Sequence, residues 1–274
     1  MDIQVLILTA VGLLAGLLAG FLGIGGGTVM VPAMVALGLS GVQAVGTSTL
    51  AILVISAVGS LQNWRMGFLN LKNVLLLGLP AVVTAFLGKE LASALPDYAL
   101  LTLFGLFLLL NIYLIGLKKR VILTAKRAEA EGLSSPEQYP GIALHAIMAR
   151  ALIGSLAGFL AGLFGVGGGV VMVPLQILLL QENIKTAIQT SLGAIVVTGL
   201  WACLWHALDD NVRVLTGLLL GAGGAVGVQL STRYLPRLPD RTVTLMFRLL
   251  LALLALYFFY KAWMSYGLVQ GGIG

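Results

Sequence analysis

Charge is scarce in this sequence: Asp, Glu, Lys and Arg together supply 9% of its residues, where a soluble domain carries about 25%. Hydrophobic residues make up 59%, and the mean hydropathy is +1.04. That balance excludes an ordinary soluble domain and points to an integral membrane protein. Cysteine occurs once, at Cys203, which excludes an intrachain disulfide and a Cys-rich metal site. The interiors of the apolar segments lack carboxylates. Asp2, Glu90, Asp97, Glu129, Glu131, Glu137, Glu182, Asp209, Asp210 and Asp240 all fall at segment ends or in loops. A cation- or proton-coupled transporter commonly keeps a carboxylate within the membrane. No nucleophile–base–acid set and no metal-ligand cluster stands out, so an enzyme, a cofactor and a resident metal are not expected. The net charge of +6 is small and reads as topology information, not as a nucleic-acid surface.

Glycine is what the sequence has in abundance. The stretch Gly20-Phe-Leu-Gly-Ile-Gly-Gly-Gly-Thr-Val-Met-Val-Pro32 returns as Gly162-Leu-Phe-Gly-Val-Gly-Gly-Gly-Val-Val-Met-Val-Pro174. The two copies are 142 residues apart, and from about Val42 the offset becomes 143: Thr47-Ser48 matches Thr190-Ser191, and Leu77-Gly78 matches Leu220-Gly221. The chain is therefore two homologous halves, 1–117 and 141–274, joined by a hydrophilic linker, 118–140.

A helix crosses the hydrocarbon core with about 20 apolar residues. Eight segments approach that length: Ile3–Leu22, Ala44–Leu61, Leu71–Leu91, Tyr98–Leu117, Ile142–Leu163, Thr186–Trp205, Val214–Thr232 and Thr242–Met264. The first is expected to be a retained transmembrane helix and not a signal peptide. Thr28–Leu39 and Val170–Leu180, which follow the glycine clusters, are too short to span untilted and read as broken half-helices, each with a proline near its start, Pro32 and Pro174. The expected fold is an all-α polytopic membrane protein. If the short helices complete a crossing, the halves are inverted and the basic residues divide 12 inside against 3 outside; if not, the halves are parallel and the division is 10 against 5. The positive-inside rule favours inversion and a cytoplasmic linker.

The candidate site follows from the break in each helix. Glycine admits positive φ and close backbone approach. A helix start offers free N–H groups and a partial positive charge. Irregular backbone survives in a membrane only when buried in protein or lining a wet cavity. Gly25, Gly26, Gly27 and Thr28, with Gly167, Gly168 and Gly169, are therefore candidate ligands for a small anion. Thr47 and Ser48, with Gln189, Thr190 and Ser191, would add donors; helix capping or interhelical bonding is the alternative. The Gly16/Gly20 and Gly158/Gly162 pairs fit close helix packing better. His206 shares its register with the Gln62-Asn63-Trp64-Arg65 helix end and is a further anion or pH-sensing candidate. Arg248 reads as a snorkelling residue.

The paired Gly-x-Gly-Gly-Gly-x-x-x-Val-Pro motifs, each after a glycine-rich helix and before a Thr-Ser helix start, resemble the TauE/SafE sulfite exporter family, also called the toluene sulfonate uptake permease family. The resemblance covers nearly the whole chain outside 118–140. It implies a multi-pass transporter of the bacterial inner membrane that moves sulfite or organosulfonates such as sulfoacetate, with the glycine motifs as site elements. Export by alternating access is the expectation. The alternatives are a cation or metal transporter and a membrane accessory subunit that transports nothing. The glycine-rich helices can pack within one chain or between two, so a homodimer stays open.

Overall fold

The computed structural model describes residues 3–94, 99, 101–113, 142–164 and 168–271, and the linker 118–140 lies outside them. Among the described residues all regular structure is helical: α1 (Ile3–Leu22), α2 (Gly27–Ala36), α3 (Gly41–Arg65), α4 (Leu71–Ala94), α5 (Leu101–Tyr113), α6 (Ile142–Phe164), α7 (Gly169–Leu179), α8 (Ile184–Leu208), α9 (Val214–Tyr234), a short 3-10 turn (Leu235–Arg237) and α10 (Asp240–Gly271). Seven of these are long and apolar enough to cross a membrane: α1, α3, α4, α6, α8, α9 and α10. The expected eighth segment is represented by α5, described over 13 residues.

α3 and α8 start earlier than the hydropathy pattern suggests, because their caps lie upstream. Ser40 Oγ accepts from the Gln43 amide at 3.3 Å, and Asn183 Oδ1 accepts from the Lys185 amide at 3.1 Å. The two Thr-Ser pairs therefore sit in the second helical turn, and capping is done by Ser40 and Asn183. The prolines also lie deeper than expected. Pro32 and Pro174 stand inside α2 and α7, beyond the first turn. A ring there removes the amide that would bond the carbonyl four residues back, which is Thr28 in one half and Val170 in the other.

Glycine sets the packing. Gly12 and Gly16 on α1 lie so close to α9 that an added Cβ would fall on the carbonyl oxygens of Leu220 and Gly224. Gly154, Gly158 and Gly162 on α6 stand in the same relation to Leu77, Ala81 and Ala85 of α4. In a bilayer, where lipid is as apolar as a side chain, such close approach is the main source of helix association. The first helix of each half thus seats on the fourth helix of the other. Hydroxyls reinforce both seams: Ser231 Oγ donates to the Gly16 carbonyl at 3.3 Å, and Thr84 Oγ1 to the Ser155 carbonyl at 2.7 Å.

The order of these contacts gives helix directions. Gly12 meets Leu220 and Gly16 meets Gly224, so α1 and α9 run the same way. Leu50 meets Gly217 and Val54 meets Gly221, so α3 joins them. Likewise Gly193 meets Val74, Gly78 meets Val197, and Gly154 meets Leu77, so α8, α4 and α6 share a direction. Gly59 faces Leu192 whereas Gly199 faces Leu53, so α3 and α8 are antiparallel. These two helices are the most buried of the seven and form the centre of the bundle.

Candidate functional site

The chain leaves α1 through a turn that only glycine makes cheaply. Gly23, Gly25 and Gly26 have φ of 69°, 78° and 80°, in the left-handed region where a Cβ is strained. Gly26 caps α2, whose first internal bonds are made by the Val29 and Met30 amides to the Gly26 carbonyl, at 3.1 and 3.3 Å. The amides of Gly27 and Thr28 precede those bonds and have no intrahelical acceptor. Gly168 caps α7 in the same register, with Val171 and Met172 bonding its carbonyl at 3.1 and 2.8 Å. Its backbone is right-handed, φ −50°, so the two caps differ in conformation. Gly167 lies outside the described residues.

Both helix starts lie at mid-depth. Ile52 and Ile195, the matching midpoints of the 25-residue helices α3 and α8, are the side chains nearest to Gly25. Ile52 also faces Gly27, and Ile195 also faces Gly169. Gly169 in turn packs on the carbonyl oxygen of Gly23. The two glycine turns therefore touch, and the positive ends of α2 and α7 meet in the same layer of the bundle.

The hydroxyls divide into two that donate, two that only accept, and one with no partner. Ser48 Oγ donates to the Val45 carbonyl at 2.7 Å and Thr190 Oγ1 to the Thr186 carbonyl at 2.9 Å. Thr47 Oγ1 accepts the Arg213 amide at 3.0 Å, which ties α3 to the loop after α8. Ser191 Oγ accepts from Gln176 Nε2 at 2.7 Å. Gln189 is buried in the second turn of α8, and His206 is half-buried near the α8 C-terminus, where its carbonyl accepts the Asn211 amide at 2.9 Å. Thr28 alone among the candidate hydroxyls is buried, 8% exposed, with Oγ1 lacking a partner. It stands beside the free amides at the start of α2. Its counterpart is Val170, so the donor set is asymmetric between the halves.

Two residues escape a reading of motifs. Gln176, wholly buried in α7, ties that helix to α8 through the Ala187 carbonyl (3.3 Å) and Ser191. Its counterpart is Met34, so the repeat gave no signal. A glutamine inside a half-helix of otherwise apolar residues was the signal available. Asn63, seen in the sequence only as part of a helix end, is fully buried, and neither atom of its amide has a partner. Among the described residues no group of three or more His, Cys, Asp or Glu side chains is placed to hold a metal ion.

Comparison with known proteins agrees with this architecture. The family model described as sulfite exporter TauE/SafE matches residues 8–258. A "Probable membrane transporter protein" of Xylella fastidiosa (strain Temecula1) is 30% identical over 97% of this chain and 99% of its own length. "Probable membrane transporter protein YunE" of Bacillus subtilis (strain 168) is 26% identical over 93% of this chain and 97% of its own. "Probable membrane transporter protein MJ0441" of Methanocaldococcus jannaschii is 29% identical over 71% and 69%. With a family model spanning nearly its whole length, and seven helices fit to cross a membrane, the chain belongs to the sulfite exporter TauE/SafE family of multi-pass membrane transporters.

Proposed function

We propose that this transporter exports small sulfur-containing anions, sulfite or an organosulfonate such as sulfoacetate, across the bacterial inner membrane by alternating access. The observation that carries the reading is the meeting of the α2 and α7 N-termini at mid-depth, with the unpartnered Thr28 hydroxyl beside them. Free amides, two helix dipoles and a hydroxyl replace part of an anion's hydration shell without a fixed charge. A neutral site of this kind holds an oxyanion and still releases it, which transport requires.

The halves act as inverted repeats in this reading. Its support is the antiparallel run of α3 against α8, and the common direction of α1, α3 and α9 against α4, α6 and α8. Arg65, Lys72, Lys185, Arg233, Arg237 and Arg241 then fall at one end of the bundle, and Lys89, Arg213 and Lys261 at the other. The first end is cytoplasmic by the positive-inside rule. The membrane potential, negative inside, drives an anion outward by about 2.3 kcal/mol per charge per 100 mV, so export needs no coupling ion. The halves rock about the glycine layer and expose it to each side in turn.

The test is flux in proteoliposomes made from the purified protein alone. Efflux of sulfite or a sulfonate that follows an imposed potential is expected. A protein that moves no anion under any potential would favour the accessory-subunit alternative instead.

A further inference from the structure

We propose that Ser60 and Asn63 form a second anion station, on the cytoplasmic side of the glycine layer, through which the substrate passes to reach it. The inference rests on the anion-transport reading above and adds a route to it.

Ile52, Ser56, Ser60 and Asn63 follow one another on α3 at spacings of four, four and three residues, which places them along one face of the helix. That file begins at the glycine layer, where Ile52 faces Gly25 and Gly27. It ends near the α3 C-terminus, the end that bears Arg65 and Lys72. The same face meets α8: Gly59 faces Leu192, and one turn further along each helix Asn63 shares a level with Ile188, which Gly23 also faces. The station therefore lies level with Gly23, on the basic-end side of Gly25 and Ile52.

Its polar groups are unsatisfied. Asn63 is 0% exposed, with Nδ2 and Oδ1 both unpartnered, and Ser60 is 8% exposed, with Oγ unpartnered. Buried amides are hydrogen-bonded as a rule, and an exception asks for a reason. A transient ligand is one, because the amide N–H groups of Asn63 and the hydroxyl of Ser60 are donors suited to sulfite or sulfonate oxygens. In the second half the same register reads Ile195, Gly199, Cys203 and His206 on α8. There Cys203 and His206 are half-buried, so the file is sealed along α3 and looser along α8. Ion pairs reinforce the sealed end: Arg150 to Glu182 at 2.7 Å and Lys185 to Asp240 at 3.3 Å. In the reading above this is the cytoplasmic end.

The experiment uses inside-out membrane vesicles and the full-length chain. Cys203→Ser removes the one native cysteine, and Ser60→Cys or Ala57→Cys is added to it; Ala57 is exposed on α3, outside the file. A charged, membrane-impermeant methanethiosulfonate is applied from the cytoplasmic side. Ser60→Cys is expected to be modified during turnover and to lose at least tenfold in sulfite transport, while Ala57→Cys keeps its rate. Asn63→Leu is expected to lower flux tenfold or more, with sulfite affinity at the glycine layer changed less than twofold. Unmodified Ser60→Cys in vesicles whose parent transports sulfite, or Asn63→Leu at the parental rate, would overturn the station. A parent that neither binds nor moves any sulfur anion would instead overturn the reading beneath it.

Discussion

Gly169 packs on the carbonyl oxygen of Gly23, so the glycine turn of one half is a wall of the other. A side chain at residue 169 has no room without backbone movement. Gly169→Ala is expected to destabilise the protein by at least about 1–3 kcal/mol, the ordinary cost of overpacking, and to abolish transport. Gly41→Ala, whose Cβ would meet open space, is the matched control and should change stability by less than about 1 kcal/mol. Denaturation of both purified variants in detergent checks the contrast.

The two cap glycines differ despite their shared register. A Cβ at Gly26 meets both a φ of 80° and the Ala15 backbone, whereas at Gly168, φ −50°, it meets only the flexible end of Met172 within 3.4 Å. Gly26→Ala is expected to cost at least about 2 kcal/mol more than Gly168→Ala, from left-handed strain and the clash together. Leucine at either position is expected to abolish transport while folded protein remains in the membrane. Equal stability of the two alanine variants would refute the described turn geometry.

Thr28 separates stability from binding. Thr28→Val replaces an unpartnered buried hydroxyl with a methyl group of the same shape, so folding stability should hold or rise. Anion affinity should fall about 10- to 100-fold, the worth of one hydrogen bond to a charged group, and Thr28→Ser should restore most of it. Thermal unfolding and titration calorimetry on the same samples read both quantities.

The ion pairs at the basic end should rank by burial. Arg150 and Glu182 are 16% and 11% exposed, against 23% and 50% for Lys185 and Asp240. Arg150→Met is expected to cost about 1–3 kcal/mol by removing one partner of the partly buried Glu182 carboxylate. Asp240→Asn should cost about 1 kcal/mol or less. Double-mutant cycles measure the coupling in each pair.

Much of this was legible in the sequence, because the signals were local. The duplicated glycine motif marked both breaks, and the short apolar runs after them became α2 and α7. The Gly16 and Gly158 packing positions were visible as small residues at helical spacing. What escaped depends on tertiary partners. That α1 seats on α9, and α6 on α4, follows from which glycines face which carbonyls, and no spacing within one helix encodes that. Ser48 and Thr190 read equally as donors for a ligand or as local bonding groups, and each donates to a carbonyl of its own helix, whereas Ser191 accepts from Gln176 and keeps its own proton. Thr28, adjacent to the motif, keeps its hydroxyl unpartnered because the cap at Gly26 leaves it in the first helical turn. Asn63 reads as part of an interfacial helix end, and its burial between the exposed Leu61, Trp64 and Arg65 is a property of the bundle and not of the segment.

The central claim is tested most directly by ligand-dependent thermal stability of the purified protein at fixed ionic strength, with sulfite, sulfoacetate, taurine, thiosulfate, sulfate, chloride and divalent cations. A ligand at 100 times its dissociation constant adds about 2.7 kcal/mol. The account predicts a selective shift with sulfite or one sulfonate, lost in Thr28→Val and Gly26→Leu. A shift with a divalent cation and none with any anion would contradict it.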